Sequence, residues 1–315
     1  MVKIKIKLNL GRFSVKKEIK ELKGTFVVMV TPFDENQNIN FKAMEENIEW
    51  YIEKGIHGLI PLGSTGEMAS LTEKERYEIA EFVVKILNNR LPLCIGTTAE
   101  TTAKTLEYTQ HAEKIGADAV LILPPYYFNP LQEEIIYHYE TISDAVNIPI
   151  MIYNNPGTSG VDIQLETVLK LAEKENIKYI KESTGDIIRL REIERLSHGN
   201  IITFCGSEEL VFESFFLGAQ GWVSVISNAL PELSSAIYEE TVINKNYKRA
   251  REIYNVILPL CIELEESGKL VQVIKYCMDR RGVNGGNFRS PRLPLSKEHC
   301  KKIDRLLEKA LEFMK

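Results

Sequence analysis

From residue 25 onward, short apolar runs rich in valine and isoleucine alternate with amphipathic stretches of helical period. The runs end near Val30, Leu62, Ile95, Leu123, Tyr153, Lys181, Cys205 and Val225. The helical stretches fall near 40–54, 72–87, 102–115, 132–146, 162–173, 186–197 and 208–218, with another after Pro231. Mainly apolar strands are buried on both faces, and strands separated by helices lie parallel. Eight such units over about 220 residues predict a closed (β/α)8 barrel of the TIM type, an α/β fold. A doubly wound open sheet is the alternative, but no Gly-x-Gly-x-x-Gly turn follows the first strand.

Local signals agree. Thr72 followed by Glu75 is a capping box, and Asp186 is placed to cap the next helix. Gly55, Gly116 and Gly218 stand where helices end. Helical patterns over 246–267, 268–280 and 296–314 follow the barrel. Residues 2–10 alternate apolar and mostly basic positions, with Gly11 as a turn and 12–16 as a return strand. The expected organisation is an amino-terminal extension over 1–22, a barrel over 23–235 and a carboxy-terminal helical region over 236–315.

Composition narrows the function classes. A net charge of −5 gives no electrostatic case for nucleic acid or an anionic membrane. No apolar run reaches the ~18 residues of a transmembrane helix, and the start lacks the apolar core of a signal peptide. Five scattered cysteines read as thiols in a reducing cytoplasm. The five histidines are isolated from one another and no cysteine or histidine cluster has metal-site spacing, so no metal site is expected.

A barrel gathers its strand ends at one mouth, where chemistry collects. GSTGE (63–67) follows the second run, PPYYFNP (124–130) the fourth and YNNPGTSG (153–160) the fifth. Lys181 and Glu182 end the sixth, and Gly206 and Val223 belong to the seventh and eighth. Read alone, Lys181 is either a nucleophile or a snorkelling surface residue. Its place among the mouth residues favours chemistry: apolar surroundings strip water from an amine and favour its neutral, nucleophilic form. Such an amine forms an imine with a ketone, and Tyr153, one unit earlier, can relay protons. The Ser64 and Thr65 hydroxyls, with the GSTGE amides, can grip a carboxylate.

These segments, with VTPF at 30–33 and IKEST at 180–184, resemble the dihydrodipicolinate synthase/N-acetylneuraminate lyase family from about Gly24 to the helical tail. The resemblance implies a barrel with a helical region, usually a homotetramer, and a cofactor-free class I lyase acting on a 2-oxo acid such as pyruvate. It makes Lys181 the Schiff-base lysine and Tyr153 the proton relay. Ser64 and Thr65 would bind carboxylate, with Thr65 also aiding the relay. Tyr127 would reach into a neighbouring subunit's site, and Gly63, Gly206 and Val223 would line the pocket.

The resemblance also implies an arginine five residues after the tyrosine for acceptance of aspartate semialdehyde. Thr158 stands there and lacks the bidentate charged grip of arginine. Aspartate semialdehyde is therefore not the expected partner, and the YNNPGTSG loop resembles that of relatives acting on 2-keto-3-deoxy sugar acids, as aldolases or dehydratases, or on pyrroline-4-hydroxy-2-carboxylate, as a deaminase. The alternatives are 4-hydroxy-tetrahydrodipicolinate synthesis, N-acetylneuraminate lysis and a non-catalytic 2-oxo-acid-binding protein.

Overall fold

The computed structural model describes residues 20–315, so the amino-terminal hairpin expected over 2–16 lies outside the described residues. Eight strands form the sheet: β1 Gly24–Val28, β2 Gly58–Ile60, β3 Cys94–Gly96, β4 Ala119–Ile122, β5 Ile150–Asn154, β6 Ile177–Glu182, β7 Ile202–Cys205 and β8 Gly221–Ser224. All pair in parallel, in the order β2-β1-β8-β7-β6-β5-β4-β3. A parallel bridge between Leu59 and Leu93 brings β2 against the start of β3 and completes the ring. The (β/α)8 expectation is met, and each strand ends within two residues of its predicted position.

Helices α1 (Phe41–Glu53), α2 (Glu73–Leu87), α3 (Thr102–Ile115) and α4 (Gln132–Ser143) cover the first half. A single turn, α5 (Pro156–Ser159), precedes α6 (Leu165–Leu171), α7 (Ile187–Ser197), α8 (Val211–Phe216) and α9 (Pro231–Tyr238). The capping box at Thr72 forms as predicted, with the Thr72 Oγ1 accepting from the Glu75 N–H and Glu75 accepting from the Thr72 N–H. Asp186 caps α7 through the Ile188 N–H. Such caps contribute about 1 kcal/mol each. The stretch predicted as one helix over 208–218 divides instead. A 3₁₀ turn at Glu208–Leu210 precedes α8, because Glu208 is drawn inward to accept backbone N–H groups beyond β8.

Inside the barrel, alternate residues of each strand meet in layers. Phe26 and Tyr179 both pack edge-on against Phe204, at 5.6 and 5.9 Å between centroids. Three rings fit in one layer because Gly58 and Gly221 face them; a Cβ at either position would fall within the ring of Phe26 or Phe204. The Leu22 N–H donates to the Tyr179 hydroxyl at 3.1 Å, tying the chain before β1 to this layer. This plug fills the barrel and leaves chemistry to the strand ends.

Beyond the barrel, α10 (Tyr247–Glu266), α11 (Leu270–Arg280) and α12 (Lys297–Phe313) form a helical region. Helix α10 packs on α9, α12 and the turn before α8. The α10–α11 junction contributes residues to a cavity at the strand ends. Among the described residues no helix is long and apolar enough to cross a membrane, and Cys94, Cys205, Cys261, Cys277 and Cys300 are free thiols.

Candidate active site

Strands β5 and β6 run in register so that Tyr153 is paired with Lys181. Both side chains open onto a cavity of about 530 Å³ at the strand ends. The Lys181 Nζ lies 4.0 Å from the centroid of the Tyr153 ring. Lys181 is 6% exposed, and its Nζ makes no hydrogen bond or ion pair with any described residue. The adjacent Glu182 is no partner: strand alternation turns it to the other face. There it accepts from the Arg189 Nε and Asn154 Nδ2, each at 3.1 Å, and from the Thr184 N–H at 2.9 Å. Gly206 makes room for the lysine, since a Cβ there would lie 2.9 Å from the Lys181 Cε and collide with the Ser183 Oγ.

Tyr153 is oriented by Asn155, whose Nδ2 donates to the phenol oxygen at 2.9 Å. The Asn155 Oδ1 accepts the Thr158 N–H at 3.1 Å, capping α5 and fixing which way the amide points. The phenol therefore accepts one hydrogen bond, and its own proton is committed to no described residue. The turn that follows is ready-made for a helix start, with Asn155 as cap and Pro156 at the first position.

Across the cavity, the GSTGE loop presents Ser64 and Thr65. Neither their amides nor their hydroxyls hydrogen-bond to a described residue, which leaves donors converging on the cavity as an anion-binding nest. Thr31 Oγ1 donates to the Gly66 carbonyl at 2.7 Å and pins the loop. Glu67 closes it in a left-handed conformation (φ 57°), which an ordinary side chain adopts at some cost. That conformation is anchored from far along the chain. Glu67 accepts from the Lys275 Nζ at 2.8 Å, the Arg289 N–H at 3.0 Å and the Arg292 Nη1 at 3.1 Å.

A second carboxylate, Glu208, is wholly buried behind the cavity and accepts the Val225 and Ile226 N–H groups at 2.6 and 3.0 Å. Burial pushes its carboxyl up to about 8; the nearby negative charge of Glu265 adds to the rise, and the Lys181 ammonium opposes it. Among the described residues, no group of three or more histidine, cysteine, aspartate or glutamate side chains is placed to hold a metal ion.

An amine without a partner, a phenol beside it and an anion nest opposite suit imine formation with a small 2-oxo acid. The family model described as the dihydrodipicolinate synthetase family matches residues 21–310. The chain belongs to that family. It is accordingly a class I, Schiff-base-forming lyase. The 4-hydroxy-tetrahydrodipicolinate synthase of Bartonella bacilliformis is 37% identical over 294 residues, covering 92% of this chain and 98% of the relative. That of Thermodesulfovibrio yellowstonii is 35% identical over 288 residues, covering 91% and 98%. Among solved structures, the chloride-inhibited dihydrodipicolinate synthase of Acinetobacter baumannii, complexed with pyruvate, superposes with a TM-score of 0.87 at 32% identity, covering 92% of this chain and 99% of that one.

Of the residues singled out in the sequence, this family member brings Gly63, Ser64, Thr65, Tyr153, Thr158, Lys181 and Gly206 together around the cavity. Val223 does not line it; the residue lies in β8, 1% exposed, and Val225, two positions on, lines the cavity instead. Tyr127 also stands apart, 89% exposed on the β4–α4 loop. Sequence reading missed Asn155, Glu208, Glu265, Lys275 and Arg292. Only Asn155 carried a local signal, the Asn-Pro pair that starts a helical turn.

Proposed function

We propose that this chain condenses pyruvate, carried as an imine on Lys181, with aspartate semialdehyde, the reaction of a 4-hydroxy-tetrahydrodipicolinate synthase. The reading is carried by one coincidence: nearly full-length likeness to synthases of that name, in a chain whose Lys181 amine opens unpartnered beside Tyr153. The amine adds to C2 of pyruvate and water leaves, giving a protonated imine that withdraws electrons from C3. Tyr153 gives its phenol proton to the departing water; its phenolate then takes a C3 proton, the resulting enamine carbon attacks the aldehyde, and the aldehyde oxygen takes that proton back from Tyr153. The amino group of the semialdehyde then adds to C2 and displaces Lys181, closing the ring. One water is released overall and no redox partner is needed.

In this scheme Ser64 and Thr65 hold the pyruvate carboxylate, and Gly63, Thr158, Gly206 and the backbone near Val223 shape the pocket. Tyr127 acts from a second copy within a homotetramer. Its exposure supports this, as does that of Phe128 and Leu131 beside it, which together give the loop an apolar face. The preference for sugar-acid or pyrroline substrates, drawn from Thr158 and the YNNPGTSG loop, is set aside in favour of the reaction carried by the full-length relatives. A cation also lines the cavity from outside that loop, at Arg292.

The test is borohydride trapping with pyruvate followed by turnover on a panel: aspartate semialdehyde, 2-keto-3-deoxy sugar acids, N-acetylneuraminate and pyrroline-4-hydroxy-2-carboxylate. A pyruvate adduct at Lys181 and consumption of aspartate semialdehyde alone are expected. Turnover of another panel member instead reassigns the substrate, and no adduct at all returns the chain to a binding role.

A further inference from the structure

The condensation brings in a second anion. Aspartate semialdehyde carries its own carboxylate, distinct from that of pyruvate, and desolvating it in a cavity requires a charged or multiply donating partner. Among the described residues lining the cavity, the fixed charges are Lys181, Glu265 and Arg292. Lys181 is consumed as the imine. Glu265 is acidic and repels a carboxylate; its Oε1 is turned to the Glu208 N–H at 3.1 Å. Thr158, at the rim, is uncharged. Arg292 remains.

We infer that Arg292, contributed by the segment between α11 and α12, binds the carboxylate of the incoming aldehyde; this rests on the condensation proposed above. The geometry of its guanidinium carries the inference. Nη1 donates to the Glu67 Oε2 at 3.1 Å and to the Ser70 Oγ at 3.5 Å, while Nε and Nη2 donate to no described residue. One corner of the planar fork is thus fastened to the protein. The Nε–Nη2 edge, the side that takes a carboxylate through two parallel hydrogen bonds, is left free.

Charge agrees with geometry. Glu67 faces two cations, Lys275 at 2.8 Å and Arg292 at 3.1 Å, so this cluster carries a surplus positive charge beside the cavity. The side chain of Arg292 is 30% exposed, enough to meet a ligand, while its contact with Glu67 limits the rotamer entropy lost on binding. Neighbouring groups then divide the anions: the neutral Ser64–Thr65 nest takes the pyruvate carboxylate, and Arg292, fastened to Glu67 at the end of the same loop, that of the aldehyde.

The experiment measures both Michaelis constants for the full chain and for Arg292→Met, with borohydride trapping of pyruvate at Lys181 as a check on the site. Loss of a charged, two-pronged contact is expected to raise the aldehyde KM roughly 10–100-fold. The pyruvate KM and the trapped imine should stay within about twofold, the scatter of non-contacting changes. If Arg292→Met also loses trapping, Arg292→Lys decides, because it keeps a charge near Glu67 and removes the free edge. A raised aldehyde KM with intact trapping supports the inference. Wild-type turnover of aspartate semialdehyde with an unchanged aldehyde KM in the variant that traps pyruvate overturns it and leaves the condensation standing. Failure of the wild-type chain to consume the aldehyde overturns both.

Discussion

Lys181 and Lys275 are both nearly withdrawn from solvent, at 6% and 2% exposure, yet their ammonium groups meet opposite surroundings. Lys275 Nζ donates to the Thr31 carbonyl at 2.7 Å, the Glu67 Oε1 at 2.8 Å and the Asn287 carbonyl at 2.6 Å, three acceptors for three hydrogens. Desolvation still lowers its pKa to about 8, against the pull of Glu67. Lys181 has only the face of Tyr153. A buried amine saturated with acceptors braces structure, because each bond would be lost by any movement. A buried amine given a cavity and no acceptor is free to form a new bond to carbon. Burial alone therefore does not identify a catalytic lysine; the count of its partners does.

Substitutions can break this comparison. The largest effect is expected for Lys181→Ala, which should abolish borohydride-trapped pyruvate and lower turnover by roughly 10⁴-fold or more. Its thermal midpoint should hold or rise, since an unpaired desolvated amine is removed; a large drop would make Lys181 structural. Tyr153→Phe comes next, with kcat reduced roughly 10²–10⁴-fold and the pyruvate KM little changed. An undiminished kcat would mean the ring, not the hydroxyl, matters.

Lys275→Met should reverse the pattern. Leaving Glu67 buried without its main counter-charge costs about 3–5 kcal/mol in urea denaturation, while the folded fraction still traps pyruvate at saturating concentration, with a raised pyruvate KM. Undiminished stability would remove the structural half of the comparison. The last effect concerns the carboxyl behind Lys181. The Glu208 pKa is raised to about 8 in the folded chain, above its ordinary value of 4.5, so the folded state binds the extra proton between those limits. That contribution is complete at acid pH and is lost as pH climbs through 8. The wild-type urea midpoint should thus decline relative to Glu208→Gln from about pH 4.5 to 8; parallel curves would refute the assignment.

What the sequence disclosed follows the range of each interaction. Strand and helix periodicities are local, so the barrel was legible to within two residues at every strand end. Lys181 and Tyr153 were legible because topology alone puts consecutive strand ends side by side. The α5 turn was too short to show a period, although Asn155-Pro156 marked its start. Glu67 stood in plain view within GSTGE, but its counter-ions lie 208 and 225 residues later in the chain. No spacing rule links them. Thr158 is limited in the same way: the absence of a charge in one loop does not report Arg292, which lines the cavity from the α11–α12 segment.

The clamp at Lys275 has a consequence for the timing of synthesis. It joins Thr31, near the first strand, to Asn287, near the last helix, and through Glu67 it braces the loop that bears Ser64 and Thr65. Domains fold as units, and the ribosome delivers amino-terminal segments first. A nascent chain that has emerged past Lys181 already owns its nucleophile but lacks the brace for its anion nest. Translation must pass Asn287 before the clamp can close, so an interrupted translation product carries the reactive amine without the grip that would present a substrate to it.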